Sequence, residues 1–195
     1  MLRNRSVPDV KEKRNCWKKL LSEYDVNNLV FLDESGVNTD MTRPYARALG
    51  GQRTVDSTPV NTPSSTTVLS SVKIDGETAY TTYQGGTTAE KFAEYLRTKL
   101  FPTLEPDSII IMDNMRSHHA KNIKLILEQS GLRYLYLPPY SPDLNPIEKL
   151  WSKIKAFLRK EKVRNAEELP CAIKSAFATI SKTDCQGWFR ACGYM

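Results

Sequence analysis

The sequence predicts an α/β domain, a mixed β-sheet flanked by helices. Two short apolar runs, Leu29–Leu32 and Ser108–Met112, read as buried strands that stop at polar residues. A hairpin signature lies between them, and helix-period patterns lie between and after them. The chain has 195 residues, 40% of them hydrophobic, which is enough to bury one such core.

Each element follows in order. Residues 1–28 carry seven Lys/Arg, and Trp17, Leu20 and Leu21 fall at helical spacing. A short helix over about 9–22 is expected there, as a basic N-terminal arm or linker ahead of a domain spanning 29–195. This arm is either a solvated amphipathic segment or one that touches a partner. The strand Leu29–Leu32 stops at Asp33-Glu34-Ser35-Gly36. Residues 36–65 are rich in Thr, Pro, Gly and Arg, and they read as short strands or a functional loop. Thr66–Ile74 and Glu77–Tyr83 are rich in Thr, Val and Tyr around Asp75-Gly76, a hairpin signal. Thr87–Leu100 repeats Phe92, Leu96 and Leu100 at helical spacing. The strand 108–112 stops at Asp113-Asn114, and a helix over about 118–129 ends at Gly131. After the strand 132–137 comes a loop with four prolines. Asn145 is then a good N-cap, with Pro146 at the first helical position. That helix runs to about Lys160, and helical segments near 166–180 and 183–190 complete the order.

Composition excludes several classes. The 28 Lys+Arg exceed the 22 Asp+Glu, for a net charge of +6, which suits an anionic partner such as nucleic acid. No apolar run approaches the roughly 18–20 residues of a membrane span, and no signal peptide is expected. The four cysteines form no CxxC, so reduced thiols and a cytoplasmic setting are expected.

The chemistry rests on carboxylates. Asp33 and Asp113 each follow an apolar strand, where α/β sheets commonly line a ligand crevice. Aspartate also terminates strands as a matter of course. Glu148 lies just inside the helix after the proline loop. Asn145-Pro146-Ile147-Glu148 has capping-box spacing, so Glu148 is either a cap reaching back to Asn145 or a site residue. Ile147, Leu150, Trp151, Ile154 and Leu158 form the core stripe of this helix. Glu148 is off that stripe and begins a polar face that continues through Lys155 and Arg159. Three carboxylates brought together need a counter-charge, and hard oxygen donors suit Mg²⁺ or Mn²⁺ rather than zinc.

Three blocks then act together: Phe31-Leu32-Asp33-Glu34-Ser35-Gly36, Met112-Asp113-Asn114 with His118, and Leu137 through Glu148 with Trp151. They resemble the catalytic domain of the mariner-like superfamily of DDE transposases, in its bacterial insertion-sequence branch. The 34 residues between Asp113 and Glu148 match the spacing of that superfamily's triad. The resemblance implies a ribonuclease-H-like fold, with Asp33, Asp113 and Glu148 as ligands of two Mg²⁺ ions that Mn²⁺ can replace. It implies hydrolysis of a phosphodiester at an element's end and joining of the 3′-hydroxyl to target DNA, typically at TA. His118 is implied as a helper near the site rather than a ligand. Asn114 would orient Asp113 or its loop, and Glu34 stands in reserve should Asp33 point away. Such proteins act as dimers on double-stranded DNA, which places the chain at the nucleoid.

The family carries helix-turn-helix modules before the catalytic domain, and none fits in the 28 residues ahead of the first strand. The expectation is the catalytic part of a protein whose helix-turn-helix chain is separately encoded. Its alternative is a catalytically incompetent fragment that binds DNA or a full-length partner. Candidate DNA contacts are Arg43, Arg47, Arg53, Arg116, Lys149, Lys153, Lys155, Arg159 and Lys160, with Lys121, Lys162 and Arg164 behind them. A solubilising surface is the other reading of these cations. Tyr140 and Trp151 are either base-stacking groups or, for Trp151, part of the core.

Overall fold

The structure, a computed structural model, describes residues 8–43, 45–55, 57 and 65–195. Its centre is a five-stranded sheet in the order β3-β2-β1-β4-β5. The strands are β1 (Leu29–Val37), β2 (Thr66–Val72), β3 (Tyr80–Gln84), β4 (Ile109–Met112) and β5 (Arg133–Tyr136). β1 pairs antiparallel with β2 and parallel with β4. The sheet is therefore mixed, as expected.

Strand alternation sends residues to two separate cores. Leu29 and Phe31 of β1, with Ile109 and Ile111 of β4, face one side. There they meet α4 (Ile147–Glu161), α5 (Leu169–Phe177), α6 (Lys182–Ala191) and α1 (Pro8–Leu21). Val30, Leu32, Ile110 and Met112 face the other side, against α2 (Ala89–Tyr95) and α3 (Lys121–Gln129).

Several expectations change in detail. β1 does not stop at Asp33. Its parallel ladder to β4 ends at Leu32↔Met112, but its antiparallel ladder to β2 continues to Val37↔Thr66. One flank of β1 thus stays paired after the other has opened. The segment 87–100 divides into α2, capped by the Thr88 side chain, and a π-helical turn over Leu96–Leu100. The helix expected over 118–129 starts as a 3-10 turn, Arg116–His119, before α3. Around residues 38–55 the chain forms no strand among the described residues, only a 3-10 turn at Leu49–Gly51. The hairpin holds. Gly76, at φ +98, closes its turn where an added Cβ would meet the Lys182 backbone N at 3.1 Å.

α1 is not a solvated arm. Trp17 and Leu21 are buried in the core that Phe31 and Ile154 share, so residues from 8 onward pack with the domain.

Candidate active site

The fork in β1 builds the site. In the parallel ladder Leu32 lies beside Met112, so the next residues, Asp33 within β1 and Asp113 just beyond β4, come where that ladder opens. Alternation puts Asp33 on the side of Phe31, the side that α4 covers. Glu148 enters from the first turn of α4. All three carboxylates line one cavity of about 410 Å³, walled by Asn114, Asn145 and the Pro138–Pro142 loop.

Each carboxylate has its own surroundings. Asp33 is 9% exposed, and its Oδ2 accepts a hydrogen bond from the Trp151 indole Nε1 at 3.2 Å. Burial raises its carboxyl to about 7 despite the Glu34 backbone N–H, with Asp113 and Glu148 pushing the same way and the Trp151 bond opposing. Burial also works against ionising Asp113. There, the bond from His118 Nδ1 at 2.9 Å, the Met115 N–H at 3.0 Å and the charges of His118 and His119 prevail, and its carboxyl lies below the usual range. Both bonds fall on the same oxygen, Oδ1. Glu148 is raised by desolvation at the cavity wall, with Lys155 opposing and Asp113 adding to the rise.

The capping box does not form. A 3-10 turn over Pro142–Leu144 runs directly into α4, so the Asn145 N–H already donates to the Pro142 carbonyl at 3.1 Å. Nothing is left there for Glu148 to accept, and its side chain faces the cavity. Nor does the Asn145 side chain cap the helix, although its backbone is extended and Pro146 is helical. Its buried Oδ1 has no hydrogen-bond partner among the described residues.

The accessory residues separate by face. Glu34, one residue on from Asp33, points to the other side of β1 and accepts a hydrogen bond from Thr87 Oγ1. It does not line the cavity. His118 is fully buried, stacked on Phe92 at 4.5 Å, and braces Asp113 from behind. Asn114 donates from Nδ2 to the Leu137 carbonyl at 2.5 Å, which ties the loop after β4 to the end of β5. It orients the loop rather than Asp113.

The basic residues divide too. Arg43, Arg159 and Lys160 line one groove beside α4 together with Tyr45. Arg47, Arg53, Lys121, Lys149 and Lys162 are exposed, and Lys155 is half-buried near Glu148. Lys153 lines the groove but is committed to Asp184 at 2.6 Å and the Thr179 carbonyl at 2.8 Å. Arg164 donates to the carbonyls of Thr39, Met41 and Ser57, so it holds the 39–57 loop instead of facing a partner. The Arg116 side chain lies outside the described part of the structure.

A sequence profile for the family described as DDE superfamily endonuclease matches residues 28–170. The chain belongs to the DDE endonuclease superfamily. The profile takes in β1, β4 and α4, and so all three carboxylates of this DDE domain. A search of curated proteins finds no match. Among solved structures, the Mos1 transposase paired-end complex with left transposon end superposes with a TM-score of 0.77 at 20% identity. That match covers 95% of this chain and 59% of the other. The Mos1 mariner paired-end complex with Mn gives 0.76 at 20% identity, covering 95% and 59%. The catalytic domain of Mos1 mariner transposase gives 0.65 at 18% identity, covering 93% and 86%. The DDE domain therefore has the ribonuclease-H-like fold of mariner catalytic domains, and it spans under three-fifths of the longer Mos1 chains.

Sequence reasoning missed two features of the site. Trp151 belongs to the core, yet its N–H reaches Asp33. The signal was there, because a buried indole N–H usually finds an acceptor. Arg14 bonds to Ser141 and Asp143 of the proline loop, 129 positions from Asp143, and no local pattern carries such a contact.

Proposed function

We propose that this DDE domain is the catalytic domain of an insertion-sequence transposase of the bacterial mariner-like branch. In this reading it cuts a phosphodiester at an element's end and joins the freed 3′-hydroxyl to a target, with Mg²⁺ or Mn²⁺ as cofactor. The observation that carries it is the convergence of Asp33, Asp113 and Glu148 on one cavity, from the point where the β1–β4 ladder opens and from a helix start.

The donor set fits hard divalent ions. It is all oxygen, and the Asp33 carboxyl, raised by burial first and by the neighbouring Asp113 and Glu148 after it, is one whose ionised form a bound cation would favour. No three Asp, Glu, His or Cys side chains among the described residues close around one point. Mg²⁺ does not need that, because it keeps several waters and is completed by substrate phosphates. Asp33, Asp113 and Glu148 would be its ligands. Two such ions, when bound, supply activation of the attacking oxygen and stabilisation of the leaving one.

The chain's own residues do the rest. The Trp151 N–H holds Asp33 Oδ2, and His118 with the Met115 N–H holds Asp113 Oδ1. The oxygens not engaged by these bonds remain for ligation. The groove of Arg43, Arg159 and Lys160 beside α4 supplies phosphate contacts that position a duplex without reading it. Double-stranded DNA is the partner, as element ends and a TA-containing target. The active assembly is a homodimer located at the nucleoid, with a separately encoded helix-turn-helix chain reading the ends. Among the described residues no helix is long and apolar enough to cross a membrane.

The second reading is a catalytically incompetent fragment that binds DNA or a full-length partner. The observation in its favour is that no three Asp, Glu, His or Cys side chains among the described residues close around one point. One experiment separates the two. The purified chain is mixed with a pre-cut DNA end and a TA-containing plasmid, with Mg²⁺ or Mn²⁺, beside Asp113→Ala. Joined product that the substitution abolishes is the expected result. Salt-sensitive binding without product, also after adding the helix-turn-helix chain, would establish the fragment reading instead.

A further inference from the structure

Glu148 rides on a loop that is held from outside. Between β5 and α4 the chain has no ladder of its own, only the 3-10 turn Pro142–Leu144. Tyr140 at its start has φ +57, in the left-handed region that side chains rarely adopt. Such a conformation persists where the surroundings hold it.

The holding groups come from α1 and Tyr194. Arg14 donates to Ser141 Oγ at 2.7 Å and to both oxygens of Asp143, at 3.1 and 2.6 Å. One turn on, Trp17 Nε1 donates to the Tyr194 hydroxyl at 3.1 Å, and that hydroxyl donates to the Leu144 carbonyl at 2.5 Å. α1 thus grips both ends of the Ser141–Leu144 turn, and Glu148 begins four residues later.

We propose that Arg14 is a positioning residue for Glu148. α1 acts as a strut that fixes the turn, and through it the distance of the Glu148 carboxylate from Asp33 and Asp113. The proposal rests on the reading of these three as metal ligands.

The chemistry favours position over bulk stability. An exposed single ion pair is worth little, but a two-pronged Arg–carboxylate pair has a defined geometry, and the Arg14 side chain is only 17% exposed. Its loss leaves both cores intact and frees the turn. A misplacement of about 1 Å in a reacting constellation costs on the order of 100-fold in rate. The effect of Arg14 therefore falls on the site more than on the fold.

The test compares the unsubstituted chain with Arg14→Met, which keeps the stem, and with the charge swap Arg14→Glu/Asp143→Arg. Mn²⁺ affinity is measured by calorimetry, amide exchange by mass spectrometry, and Asp113-dependent nicking by gel. Arg14→Met is expected to bind Mn²⁺ about ten-fold more weakly and to nick about ten-fold more slowly at saturating DNA, with KM unchanged. Exchange should quicken over 140–148 and stay unchanged in β4. The swap should recover most of both losses, since it restores a two-pronged Arg–carboxylate pair between α1 and the turn. Mn²⁺ affinity within two-fold of the unsubstituted chain would overturn the proposal. So would loss of protection throughout the domain, or a folded swap that recovers nothing. A chain that does not nick, also with the helix-turn-helix chain added, would overturn the functional reading, and the Mn²⁺ and exchange comparison would still decide the role of Arg14. No Mn²⁺ binding by the unsubstituted chain would remove the metal site and the proposal with it.

Discussion

Ionising Asp33 costs the folded state free energy. Its carboxyl titrates near 7 in the fold against an ordinary value of 3.8, so between these values the folded chain keeps a proton that the unfolded chain has lost. Stability from this group is complete below about pH 4 and falls as pH rises toward 7, by up to on the order of 4 kcal/mol at about 1.4 kcal/mol per unit. Without metal, the chain should lose stability relative to Asp33→Asn across that window, and saturating Mg²⁺ should restore it. Denaturant unfolding at stepped pH reads this directly, and parallel curves for the two proteins would contradict it. Trp151→Phe keeps an aromatic, though smaller, ring in the core and removes the N–H that opposes the rise. Asp33 should then titrate higher still, and the acidic limb of the nicking pH profile should move to higher pH. That Asp33, Asp113 and Glu148 share one cavity was foreshadowed in the sequence by the apolar runs before the two aspartates and, for Glu148, by the resemblance rather than by local pattern, which equally suited a cap. Which oxygen of each carboxylate is held was not, since Trp151 and His118 act across the fold.

The helices show where local pattern suffices and where it fails. The stripe Ile147, Leu150, Trp151, Ile154 and Leu158 is fully buried as its periodicity requires. The polar face was harder to read, because spacing does not say which cation is spent. Lys153 and Arg159 look alike in sequence, but Lys153 is bound to Asp184, whose carboxyl it holds down to about 2 together with the Ser181 hydroxyl and N–H. Lys153→Ala should lower thermal stability and leave the salt dependence of DNA binding unchanged. Arg159→Ala should leave stability within about 0.5 kcal/mol and reduce the salt slope by about 1, as titrations at several salt concentrations would show. Equal slopes would remove Arg159 from the interface. Glu148 presented a similar ambiguity. Its capping spacing was real, but the preceding 3-10 turn had already used the Asn145 N–H.

In the whole molecule the sheet divides two cores, and the site sits where β4 parts from β1 at their rim. α1 joins the first core, so Leu21→Ala should cost about 2–5 kcal/mol, as a core truncation does, within a single unfolding transition. A separate early transition would instead make α1 an independent arm. The fold class was readable because each strand and helix carries its own period. The packing of α1 was not, since Trp17 and Leu21 give the same spacing on a solvated helix. The fork in β1 has a last consequence, one of parity. Asp33 and Glu34 are adjacent acids on opposite faces, one in the cavity and one against Thr87. Deleting one residue within Leu29–Leu32 would bring Glu34, one methylene longer, to the place of Asp33, and inserting one ahead of Leu32 would bring that leucine there instead. A change of two would keep the face but carry the aspartate along the strand, out of register with Asp113, so the choice of the acid that enters the cavity is made by counting rather than by chemistry.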